Sequence, residues 1–167
     1  MITTTTPLPE KAFSTEQVAP APARAAARRD GPASYVRPYR VEVRSSSDII
    51  TARQRGRVLA LELGFSGPDV TLIAAAISEV ARNIVEHAER GEIVFTEMRH
   101  GGRSGLTIVA RDEGPGMLDA ERMSDYGRGG RDGTSVGLPG VRLLMDEFEI
   151  ESTIGRGTTV TMTKWLR

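Results

Sequence analysis

Glu79, Asn83 and His87 stand at i, i+4 and i+8 of one apolar-periodic run. On a helix they stack along a single stripe, with Glu86 beside them. A carboxylate one turn before a carboxamide gives a base and a neutral oxygen donor pointing the same way. Mg²⁺ takes hard oxygen ligands and keeps several waters, so Asn83 could be one protein ligand among several. Glu79 could then polarise a hydroxyl or a water beside the metal. The same pair also suits a plain solvated helix face, where neither residue needs explaining. His87 and His100 belong to no metal-ligand cluster and read as structural or exposed, with His87 near a ligand as the alternative.

The downstream glycine-rich segments shift the balance. In a strand, Leu106, Ile108, Ala110 and Asp112 share a face, so Asp112 ends an apolar row. An ionised carboxylate there is costly unless something donates hydrogen bonds to it. Thr158 ends a second row with Val160 and Met162. Gly114-Pro115-Gly116-Met117 is a turn that lets backbone approach a ligand closely. Gly137-Leu138-Pro139-Gly140 leads into a helix carrying Val141, Leu144 and Met145, and a glycine-rich loop entering a helix N-terminus suits an anion. An acceptor and a hydroxyl in an apolar slot suit an amino-bearing heterocycle. Free N–H groups suit phosphates, and an Asn on a facing helix suits the bridging metal. Adenine, triphosphate and Mg²⁺ are all provided for. No GxxxxGK[ST] loop occurs, and the HRD and DFG motifs of protein kinases are absent.

These residues need elements to hold them. Tyr39 to Arg44 alternates as a strand. Ser45 to Asp48 supplies caps for a helix carrying Ile49, Ala52, Gly56, Leu59, Ala60 and Leu63 and closing at Gly64. Ser66-Gly67-Pro68-Asp69 opens the long central helix, which is expected to stop near Gly91. A strand around Ile93 and Phe95, a hairpin loop over 100–105 and the strand 106–112 follow. The pattern is weak over 118–136, and 125–137, rich in glycine, arginine and small polar residues, has the composition of a mobile loop. Strands 148–152 and 158–165 close the chain around Gly155-Arg156-Gly157. The expected fold is α/β: a two-layer sandwich, its mixed and mainly antiparallel sheet covered by helices on one face.

With 167 residues the chain is long enough for one cored domain and an appendage. Residues 1–37 are Pro-, Ala- and Thr-rich and read as a disordered N-terminal extension, leaving 38–167 as the domain. Lys and Arg together number 22, as do Asp and Glu, so charge points to neither nucleic acid nor an anionic membrane. The absence of cysteine excludes thiolate chemistry and disulfides. No apolar run would span a bilayer and no signal peptide is evident, so a cytoplasmic location is expected.

Four segments in this order and spacing resemble the boxes of the GHKL (Bergerat-fold) ATPases. Glu79-x-x-x-Asn83 is similar to the N box. Asp112-x-Gly114-x-Gly116 is similar to the first glycine box, Gly137-x-Pro139-Gly140 to the second, and Gly155-x-Gly157-Thr158 to the third. Over residues 38–167 the likeness is greatest to the RsbT-type serine/threonine switch-protein kinases. It is carried by Ser78-Glu79-x-Ala81-Arg82-Asn83-Ile84, Gly137-Leu138-Pro139-Gly140-Val141, Leu144-Met145-Asp146-Glu147-Phe148 and Lys164-Trp165-Leu166-Arg167. The resemblance implies ATP and Mg²⁺ as cofactors, with Asn83 on the metal and Glu79 as catalytic base. Asp112 would accept from the adenine amino group, with Thr158 assisting. Gly114, Gly116, Met117, Gly137, Leu138 and Gly140 would line the nucleotide. Residues 118–136 would form a lid, with Arg128 and Arg131 as lid contacts. That lid is longer than the family's serine- and glycine-rich run, and Pro139 stands where many members have glycine. The implied activity is phosphorylation of a STAS-domain antagonist in a stressosome, with its scaffold proteins as partners and a PP2C-type phosphatase as a further target. The alternative is an anti-sigma factor that sequesters a sigma factor.

Overall fold

The computed structural model describes residues 34–35, 38–117 and 137–167. The expected extension up to residue 33 and the expected lid, with Arg128 and Arg131, lie outside the described residues. The element order is β1 (Ser34–Tyr35), β2 (Tyr39–Val43), α1 (Ser46–Leu63), α2 (Gly67–His87), β3 (Gly91–His100), β4 (Arg103–Asp112), a third helix, β5 (Glu147–Thr153) and β6 (Gly157–Trp165). The third helix, α3, spans Gly137–Leu144.

The long helix α2 forms for the reasons its sequence gives. Ser66 accepts a hydrogen bond from the Asp69 N–H at 3.4 Å, Pro68 sits in the first turn, and Asp69 complements the positive end of the helix. Val70, Ile73, Ile77, Val80, Ala81 and Ile84 are buried along one face. The helix stops at His87, earlier than Gly91. Glu89 takes a left-handed φ of 61° and reverses the chain, and Gly91 becomes the first residue of β3, opposite Asp112. Helix α1 is fastened at its start by Asp48, whose Oδ2 accepts from the backbone N–H groups of Arg44 at 3.0 Å and Ser45 at 2.9 Å.

Among the described residues six strands form one sheet in the order β1-β3-β4-β6-β5, with β2 also pairing with β3. Every pairing among the described residues is antiparallel. The sheet begins earlier than residue 38, because Ser34 and Tyr35 pair with Arg99 and Met98. Helices α1 and α2 lie side by side against β2, β3 and β4. Val43, Ile73, Ile77, Ile93, Phe95, Ile108 and Met162 are the fully buried heart of this layer. On the other face, register aligns Thr96 with Thr107 and Thr107 with Thr163, and the last two hydroxyls lie 3.0 Å apart. Among the described residues strand β5 is the sheet's last strand on one side, with Glu147, Glu149 and Glu151 exposed. No helix among the described residues is long and apolar enough to cross a membrane.

The end of β6 is tied to the turn after α3. Asp146 accepts from the Trp165 backbone N–H at 2.8 Å and from Lys164 Nζ at 3.1 Å, and that buried ammonium also reaches the Leu144 carbonyl at 3.1 Å. Burial acts to raise the Asp146 pKa, but the Trp165 N–H and the Lys164 ammonium outweigh it, and the net shift is downward. A depressed carboxylate pKa gives stability that is present above the unfolded value, about 3.9, and is lost as pH falls through the folded value. Melting temperature is therefore expected to fall below about pH 4. Asp146→Asn should make that acid limb shallower, which a series of thermal melts between neutral pH and acid checks.

Candidate functional site

Between α2 and the ends of β4 and β6 lies a cavity of about 370 Å³. Val80 and Ile84 of α2 face Ala110 of β4 and Val160 of β6 across it, giving an apolar slot. Asn83 and His87, one turn apart on α2, add polar groups along one wall, and Asp112 and Thr158 add them at the strand ends. Pro115, Gly116 and Met117 of the turn after β4 and Leu138 of α3 complete the lining.

Asp112 is held by the donors its position demanded. Its Oδ1 accepts from the Gly114 N–H at 2.9 Å and from the Thr158 N–H at 3.1 Å. Among the described residues nothing donates to Oδ2, and that oxygen is not buried. One oxygen thus fixes the carboxylate to the fold, while the other is left as an acceptor at the polar end of the slot.

The turn after β4 is pinned onto the β5–β6 hairpin. The Met117 N–H donates to Ser152 Oγ at 2.9 Å, and the Gly155 N–H donates to the Pro115 carbonyl at 2.8 Å. Gly116, at φ 71°, leaves no room for a side chain, since a Cβ there would strike the Thr153 carbonyl oxygen. Gly157 opens β6 at φ 90°, and a Cβ there would strike the Asp112 carbonyl oxygen. Left-handed backbone costs an L-residue about 1–2 kcal/mol, and overpacking adds about 1–3 kcal/mol. Gly157→Ala should therefore lower the melting temperature by roughly 5–15 °C and weaken any ligand held by Asp112. Calorimetry against the unaltered chain reads the first effect.

The structure brings Asn83, Asp112, Gly116, Met117, Leu138 and Thr158 to one cavity. Gly114 stands behind it as an N–H donor to Asp112. Gly137 and Gly140 are not among the walls, because α3 starts at Gly137 itself and not after Gly140. Glu79 sits one turn before Asn83, outside the walls, and only 5% exposed. The solvated-face alternative thus does not describe it: its carboxylate is buried, with Arg82 Nη1 3.5 Å from Oε1. His87, read as structural, does line the cavity. Ser152 was missed altogether. Among the described residues no group of three or more acidic, His or Cys side chains forms a metal cage, so Mg²⁺ here would need phosphate and water oxygens beside Asn83.

Comparison with known proteins agrees with this architecture. The family model described as "Histidine kinase-like ATPase domain" matches residues 43–164. The chain is 44% identical over 127 residues to the serine/threonine-protein kinase RsbT of Bacillus subtilis, covering 76% of this chain and 96% of that protein. It is 31% identical over 119 residues to the anti-sigma F factor of Caldanaerobacter subterraneus, covering 69% and 83%. It is 30% identical over 118 residues to the serine-protein kinase RsbW of Bacillus licheniformis, covering 65% and 72%. Among solved structures, the RsbU and RsbW domains of a Mycobacterium tuberculosis protein align with a TM-score of 0.51 at 22% identity, over 77% of this chain and 32% of that one, which supports the fold alone. The chain belongs to the histidine kinase-like (GHKL) ATPase family, and within it to the group of RsbT- and RsbW-like kinases.

Proposed function

We propose that the cavity is the Mg-ATP site of a serine/threonine protein kinase whose substrate is a STAS-domain antagonist in a partner-switching stress pathway. The observation that carries the nucleotide reading is the divided role of Asp112, which lines an apolar slot with one oxygen anchored by two backbone N–H groups and the other receiving no donor among the described residues. That arrangement recognises an exocyclic amine on a flat heterocycle. The likeness to RsbT supports the kinase and its class of protein substrate.

Within this reading each residue has a physical task. The apolar walls from Val80, Ile84, Ala110 and Val160 exclude water from the two faces of adenine. Asn83 offers its carboxamide oxygen to Mg²⁺, which when bound neutralises charge on the phosphates. Glu79 takes the proton of the substrate hydroxyl as that oxygen bonds to the γ-phosphorus and ADP leaves. Arg82 holds the Glu79 carboxylate from the same helix. Arg128 and Arg131 belong to the proposed lid. Stressosome scaffold proteins and a PP2C-type phosphatase are the proposed further partners, in the cytoplasm.

The anti-sigma F factor relatives favour a second reading, in which the chain captures a sigma factor. Incubating the full chain with Mg-ATP and a purified STAS protein, then reading intact mass, separates the two. One added phosphate on a serine or threonine supports the switch kinase. ATP binding with sigma-factor capture and no phosphorylated STAS protein replaces it with the anti-sigma reading.

A further inference from the structure

Glu79 is buried on α2 and stands outside the walls of the cavity. A carboxylate at that depth is costly unless a charged or donating group comes near it. Side chains on a helix lean toward its N-terminus, so each covers the turn before its own. On α2 itself, the residues placed to lie over Glu79 are therefore those three and four positions later, Arg82 and Asn83. Asn83 is committed to the cavity, which it lines. Arg82 serves the carboxylate instead, with Nη1 3.5 Å from Glu79 Oε1.

That distance is longer than an N–H···O hydrogen bond, about 2.7–3.2 Å. The contact is charge against charge, and it steadies the carboxylate without taking a lone pair for a short hydrogen bond. The Arg82 side chain is itself 38% exposed, so replacing it empties no core volume. We propose that Arg82 is a positioning residue for phosphoryl transfer: it holds the buried Glu79 carboxylate one turn before Asn83, and it acts on the reaction through that carboxylate and not through the nucleotide. The proposal rests on the reading of Glu79 as the base that takes the substrate proton.

Single-turnover and steady-state transfer from Mg-ATP to a purified STAS-domain protein, with ATP affinity measured separately on the full-length chain, tests this. Arg82→Met keeps an unbranched side chain and removes its charge. It should lower transfer by about ten- to hundredfold, the reach of an interaction with a charged group, and leave the ATP dissociation constant little changed. Arg82→Lys, which keeps the charge, should lose clearly less. In a Glu79→Gln background, Arg82→Met should slow transfer no further, because both changes then touch one interaction. A further loss in that background means that Arg82 acts on the phosphate or the substrate directly, and it overturns the proposal. So does a loss that lies wholly in weaker ATP binding, or in a higher KM for the STAS protein with kcat intact. Should Arg82→Met not fold, Arg82→Gln, neutral but still able to donate to the carboxylate, takes its place, and transfer at the unaltered rate there overturns the proposal. Wild-type transfer by the single variant Glu79→Gln removes the base reading itself and this proposal with it. That result is told apart from the others because it appears with Arg82 untouched.

Discussion

Glu79→Gln is expected to lower phosphoryl transfer to a STAS substrate by about 10²- to 10⁴-fold, the usual contribution of a general base, while ATP binding changes little. The glutamine keeps the volume of a side chain that is 5% exposed, so the substitution tests chemistry and not packing. It removes the proton acceptor but leaves the walls of the cavity, of which Glu79 is not one. A loss in transfer without a loss in affinity marks a group used mainly in the transition state. Asn83→Ala is the contrast, since that residue lines the cavity and its loss should reduce both Mg-ATP affinity and transfer. Single-turnover kinetics with binding measured separately resolves the two. Wild-type transfer by Glu79→Gln would end the assignment of Glu79 as base.

Asp112→Asn should weaken ATP binding by about ten- to hundredfold, in line with about 1.5–3 kcal/mol for a charge-assisted hydrogen bond. The direction follows from the backbone. The Gly114 and Thr158 N–H groups both point at the Oδ1 position, so the amide oxygen of asparagine must settle there. Its NH₂ then occupies the Oδ2 position and meets the exocyclic amine of adenine, donor against donor. An unchanged dissociation constant, measured by calorimetry on a folded variant, would take Asp112 out of the base pocket.

How much of this was legible depended on whether a residue's task is local. Asp112 could be singled out because a carboxylate closing the row Leu106, Ile108, Ala110 demands donors, and two backbone N–H groups meet that demand. The central helix could be read from the spacing of Val70, Ile73, Ile77 and Ile84, which packing then buries. Glu79 was ambiguous because an amphipathic stripe does not say how far the neighbouring elements wrap around it. Ser152 ends the half-buried row of Phe148 and Ile150, the same period-two signal that marked Asp112, but what it touches appears only once β5 pairs with β6 and sets it opposite Thr158. The start of α3 was placed too late because two glycines in four residues argue against a helix, yet Gly137 begins one. Likewise the pairing of Ser34 and Tyr35 with β3 is non-local and has no sequence period to reveal it.

The margin of the sheet at β5 bears on how this molecule behaves in a crowded solution. A bare strand edge is a template on which another chain can grow. Here Glu149 and Glu151 stand exposed on one face of that margin, while Glu147 beside them accepts from Trp165 Nε1 at 2.9 Å. A second copy approaching edge to edge would bring carboxylates against carboxylates and strip water from both sets. The repulsion needs no cover from a helix or a partner, so it works equally well when the protein is alone and when it is bound elsewhere. A protein that must exchange partners is thereby kept from pairing with itself along this edge.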